Sequence, residues 1–165
     1  MIKRKQMFLA VLGVMLTGST TAYAQESQAS PDDLQLSQEV RSLLQAEMRE
    51  IAVAVQAVAV SLATGNWESI ATISENIRAS YVMEKNLTDS QRHELEDQLP
   101  DYFKRLDAEF HARAEKLGSA AAAHDAEAVA FQYYRLVEGC ATCHATFATT
   151  RFPGFSSIIP EQHQH

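Results

Sequence analysis

Apolar residues recur along this chain at helical spacing. Leu44, Met48, Ile51, Val55, Val58 and Leu62 follow a 4-3-4-3-4 rhythm, which puts them on one stripe of an α-helix. Ser30-Pro31-Asp32-Asp33 reads as the start of that helix, with Ser as N-cap, Pro in the first turn and Asp at N3. Gly65 supplies the stop. The stretch from Ile51 to Val60 is rich in Val and would suit a strand by composition. The unbroken stripe and the cap instead predict one helix ending near Ala63.

The pattern continues in the same mode. Asn66 can cap a second helix from Trp67 to about Met83, with Ile70, Ile73 and Ile77 on its inner face. Thr88-Asp89-Ser90-Gln91 has the form of a capping box and opens a short helical segment ending near Leu99. Pro100 then opens a long helix from Asp101 to about Ala123, whose apolar face carries Phe103, Leu106, Phe110 and Leu117. Gly118 and the alanines 120–123 make its end slim, so a neighbour can approach closely. Asp125 caps a last helix from Ala126 to about Thr150, and Pro153-Gly154 ends it. No internal repeat or low-complexity domain interrupts the series. Four long amphipathic helices on short connections predict an all-α fold, an up-down-up-down four-helix bundle.

The two ends read differently. Lys3, Arg4 and Lys5 form a basic start, Met7 to Leu16 an apolar core, and Ala22-Tyr23-Ala24 a small-x-small cleavage site. Residues 1–24 are therefore predicted to be a secretory signal peptide cut before Gln25, which addresses the protein to the periplasm. The apolar run is too short to span a bilayer, and no later segment reaches that length without charges. The domain proper is expected over residues 25–155, and 156–165 as a disordered tail carrying His163 and His165.

Removing the predicted signal takes away three basic residues and no acid, so the net charge goes from −7 to −10. That balance argues against nucleic acid as a partner. It mostly confers solubility and leaves room for a basic protein partner.

Candidate chemistry is concentrated in Cys140-Ala141-Thr142-Cys143-His144, which is C-x-x-C-H. This is the pattern that attaches a c-type haem. Two thiols three residues apart can add to the two vinyl groups of one haem, and the adjacent imidazole can serve as proximal iron ligand. On a helix, positions 140, 143 and 144 are i, i+3 and i+4 and share one face. A thioredoxin-like redox pair needs a βαβ setting, and Ala126 to Gly139 reads as helix. A structural zinc site wants four ligands, whereas the chain has only two Cys and no second ligand pair at zinc-finger spacing.

A four-helix bundle with C-x-x-C-H near the end of its last helix resembles the class II c-type cytochromes, the cytochrome c′ and cytochrome c556 family. The resemblance covers the mature chain in architecture and rests on Gly139-Cys140 to His144 plus Phe147, an aromatic three residues after the haem histidine. Family members often carry a basic residue next, where this chain has Ala148. Arg151, two turns beyond His144, lies on the same predicted face, where it can reach a haem propionate or sit solvated at the helix end. The resemblance implies one covalent haem c inside the bundle and no catalytic residues of its own. It implies either electron transfer with redox partner proteins or binding of NO or CO at a five-coordinate iron. It also implies pairing through the first two helices, for which Val53, Ala57 and Val60 off the inner stripe provide apolar surface.

The sixth iron position separates carrier from gas binder. The haem level corresponds to roughly the first 18 residues of the first helix, at 1.5 Å per residue. Met48 falls at the edge of that zone on the apolar stripe, and its thioether suits an electron-transfer haem. Met83 and His111 are the further candidates. His93 and His124 read as surface, and Tyr133 as a packing residue near Cys140.

Overall fold

The computed structural model describes residues 34–155. The predicted signal peptide, the predicted cap at Ser30 and the tail from Ser156 lie outside the described residues. Within them the chain is all-helical: α1 (Gln38–Thr64), α2 (Trp67–Arg78), α3 (Met83–Asn86), α4 (Asp89–Gln98), α5 (Asp101–Ala122) and α6 (Ala126–Phe147), then a 3₁₀ turn at Pro153–Phe155. No strand occurs among the described residues.

Local chemistry sets most boundaries. The start of α1 corrects the expectation: Leu34 to Ser37 are not helical, and Ser37 is the N-cap, its Oγ accepting from the Val40 N–H at 3.3 Å. At the other end Gly65 takes a left-handed φ of 68°, and Asn66 N–H donates back to the Ser61 carbonyl at 2.8 Å. Only glycine adopts that φ at little cost, which is why the turn falls there. Asn66 Oδ1 accepts from Ser69 N–H at 3.1 Å and starts α2. Thr88 and Gln91 form the predicted capping box on α4. Asp125 Oδ1 accepts from Ala128 N–H at 3.0 Å and starts α6.

Two helices end earlier than their patterns predict. α2 stops at Arg78, because Ser80 takes a left-handed φ of 58° and Tyr81 to Met83 are drawn to a carboxylate on α1. α6 stops at Phe147, three residues short of Thr150. Phe152 N–H turns back to the Ala148 carbonyl at 2.9 Å, and its ring comes to lie on His144.

α2 packs on α5, α5 on α6, α1 on α2 and α1 on α6. The core is Ala54, Val58, Ile70, Ile77, Ala114, Leu117, Ala121, Val129 and Leu136, with Trp67, Ile73, Phe110 and Tyr133 packed around it. The slim end of α5 allows close approach: a Cβ on Gly118 would sit 3.1 Å from the Ser74 Cβ. Trp67, opening α2, stacks on His124 of the α5–α6 turn at 5.5 Å, so the two short turns meet.

Candidate haem-attachment site

α6 carries the motif. Gly139, just before it, sits where a Cβ would be 3.4 Å from Arg113 Nη1 and 3.5 Å from Phe110. Arg113 also donates to the Arg135 carbonyl at 2.7 Å and pairs with Glu138 at 3.8 Å, fixing α6 against α5. Thr142 and Thr146 satisfy their hydroxyls on the carbonyls of Glu138 and Thr142, leaving the neighbouring thiols as the reactive groups of the segment.

Cys140 and Cys143 are half-buried free thiols. Burial raises the pKa of both. For Cys143, burial with the nearby Asp107 carboxylate and Cys140 pushes it to about 11. Among the described residues no group of three or more His, Cys, Asp or Glu side chains is disposed to hold a metal ion. His144 stacks on Phe152 with ring centroids 4.4 Å apart and an interplanar angle of 21°. Burial first, and the positive charge of Arg151 second, lower its pKa, so the imidazole is neutral and keeps a lone pair near pH 7.

A cavity of about 270 Å³ is lined from α1, α5 and the segments between α2 and α5, and Phe103 of its wall reaches Phe147 at the end of α6. Its apolar wall is Leu44, Met83, Leu87, Leu95, Leu99 and Phe103, and its polar wall Glu47, Arg78, Ser80, Glu84, Asp107 and His111. Phe103 meets Phe147 edge-on at 5.4 Å, and Tyr102 lies 6.0 Å from the same ring. Asp107 stands near enough to Cys143 to raise its pKa. The donor set fits the group the motif implies: two half-buried thiols at i and i+3 and a neutral imidazole at i+4 on one face of the helix.

Two expected site residues are placed differently from their helical pattern. Met48 is 40% exposed, so it is not on the inner stripe of α1. The buried face runs through Val40, Glu47, Ile51, Ala54, Val58 and Ser61, and Glu47, only 3% exposed, holds the inward position beside Met48. Glu47 accepts from the backbone N–H groups of Tyr81 at 2.9 Å, Val82 at 2.5 Å and Met83 at 3.1 Å. Burial raises its pKa, but these donors outweigh it and hold the carboxyl below its ordinary value. Arg151 lies past the end of α6 and is exposed, so it is off the helical face of His144, but its guanidinium sits over the Phe152 ring at 5.8 Å and its charge still reaches His144.

Met83 and His111, the further candidates, both line the cavity. His111 Nδ1 is 2.8 Å from the Ile77 carbonyl and Nε2 is 3.6 Å from Asp107 Oδ1. The Asp107 contact, larger than the opposing effect of burial, raises the His111 pKa. His93 is exposed beside Glu96, and Tyr133 packs on the core.

Sequence reasoning missed Glu47 and Phe152. Glu47 had a signal: Val40, Glu47, Ile51, Ala54 and Val58 are also helically spaced, with an acid in the middle of the face. Phe152 had none, because its contact depends on how the chain turns after α6. No helix among the described residues is long and apolar enough to cross a membrane. Comparison with protein-family models, curated proteins and solved structures found no match.

Proposed function

We propose that the protein is a periplasmic monohaem c-type cytochrome of the class II type, an electron carrier rather than an enzyme. One observation carries the reading: Cys140, Cys143 and His144 lie together on one half-buried helical face of α6, which α5 approaches through the contact of Phe103 with Phe147. In this reading α1, α2, α5 and α6 form an up-down-up-down four-helix bundle, consistent with their neighbour relations. Residues 1–24 direct export, which brings the chain to the compartment where haem is attached.

Haem c, when bound, supplies a one-electron iron couple. The chain does the rest. Cys140 and Cys143 hold the group covalently, and His144 presents its lone pair to the metal. Phe152 fixes the plane of that imidazole by stacking. Phe147, wedged against Tyr102 and Phe103, closes the end of the site. Redox partner proteins exchange electrons with it, and a second copy pairs through the first two helices, where Val53 and Val60 are 67% and 66% exposed.

A second reading has its own support. Met48 is turned to solvent and Leu44 lines the cavity, as in a five-coordinate binder of NO or CO with an apolar distal side.

The test is the mass and colour of the exported protein, made in a host that matures c-type cytochromes. The mature chain should exceed its polypeptide mass by one haem, and acid acetone should leave the colour on the protein. Cys140→Ala or Cys143→Ala should leave one thioether, and the double variant none. A colourless exported chain with two titratable thiols refutes the reading.

A further inference from the structure

The sixth iron position is the open chemical question, and the cavity holds one group already oriented for it. His111 lies on α5 one turn beyond Asp107, and both line the cavity. Phe103, which lines the same cavity from α5, meets Phe147 of α6 at 5.4 Å, so α5 brings this wall of the cavity to the helix that carries the motif.

Its hydrogen bond settles which nitrogen could bind a metal. A carbonyl oxygen can only accept, so the 2.8 Å contact with the Ile77 carbonyl requires Nδ1 to carry a proton. A neutral ring bonded this way keeps its lone pair on Nε2. A metal-binding histidine commonly has just this arrangement: the second nitrogen donates to a backbone carbonyl, which fixes both tautomer and ring orientation. The anchor is firm. Ile77 is fully buried, in the last turn of α2. Nε2 faces Asp107 Oδ1 at 3.6 Å, the contact that favours a proton on this ring, so ligation at Nε2 would displace that proton and release Asp107, whose side chain is 55% exposed.

The two thioethers compare poorly. Met48 is turned to solvent. Met83 reaches the cavity from the four-residue α3, held at its backbone N–H by Glu47.

Resting on the cytochrome reading above, we propose that His111 Nε2 would supply the second protein ligand to the haem iron, with His144 the first, so that the haem would be held by two histidines. Closing the iron on both sides favours electron transfer over gas binding. The Ile77 carbonyl then acts on the haem through His111 as a positioning group.

The experiment uses the haem-loaded full chain and reads absorption, electron paramagnetic resonance and near-infrared magnetic circular dichroism of the oxidised protein. Wild type should be low-spin with the bis-imidazole signature and without the weak sulfur-to-iron band. His111→Ala should turn high-spin and bind CO, and added imidazole should restore the low-spin spectrum. Should His111→Ala fail to accumulate, His111→Gln, which retains an amide donor for Ile77, should give the same change. Met48→Leu and Met83→Leu should leave the spectrum unchanged. A chain without covalent haem overturns both the cytochrome reading and this ligand. A haem-bearing wild type that is high-spin, or whose sulfur band disappears in Met83→Leu or Met48→Leu, overturns the ligand alone.

Discussion

Replacing Glu47 should cost more stability than replacing any other single polar side chain of α1. Its carboxylate is 3% exposed and receives three backbone N–H groups from the α2–α3 connection. A hydrogen bond to a charged group contributes about 1.5 to 3 kcal/mol, and an orphaned buried donor costs about 1 to 3. Tyr81, Val82 and Met83 are half-buried, so water can replace part of what Ala removes. Glu47→Ala should therefore cost about 3 kcal/mol, which lowers Tm by roughly 10 °C for a chain of this size. Glu47→Gln keeps one acceptor but sets an NH₂ against a backbone donor, so it should cost about 2 kcal/mol. The pH dependence is a sharper check. The folded-state pKa lies below the ordinary value of 4.5, so the stabilisation is fully present above that value. It is lost as pH falls through the lowered folded-state pKa. The wild-type-minus-Gln difference from urea unfolding should thus be constant above about pH 6 and shrink below about pH 4.5. A loss under about 1 kcal/mol for Glu47→Ala, or a difference independent of pH from about 6 to 3, would refute the account of this carboxylate.

Two further predictions use the same kind of geometry. Gly118→Ala puts a methyl 3.1 Å from the Ser74 Cβ, which is fixed to its backbone, so overpacking should outweigh the gain in helix propensity and destabilise by about 1 kcal/mol. Gly139→Ala meets only ordinary contacts at 3.4 and 3.5 Å and should be neutral or stabilise by up to about 1 kcal/mol; denaturant midpoints that reverse this order would discredit the packing described at the two sites. Val53→Glu and Val60→Glu should alter the stability of the single chain by less than about 0.5 kcal/mol yet dissociate the proposed dimer, as followed by light scattering. A wild type that is monomeric at high concentration would eliminate the dimer.

What could be read from the sequence was what neighbours in sequence decide. Gly65 and Asn66, Thr88 with Gln91, and Asp125 cap helices through bonds spanning no more than five residues, so their positions needed no knowledge of the fold. The C-x-x-C-H spacing placed its three side chains on one helix face for the same reason. Ile70, Ile77 and Leu117 came out buried because a three-isoleucine stripe and a Phe/Leu stripe leave a helix little choice of face. The tertiary structure decided the rest. Near its start α1 offers two overlapping stripes, through Glu47 or through Met48, about 100° apart. Apolar content alone favours Met48. Glu47 lies inward because three N–H groups, 34 to 36 residues away, need an acceptor there. The same contact helps end α2 ahead of its pattern. His111 meets the Ile77 carbonyl across a separation of 34 residues, and Phe152 reaches His144 only because the chain reverses after α6. Helices follow from local rules, whereas the groups that line the cavity were selected by contacts between them, which no periodicity in one helix encodes.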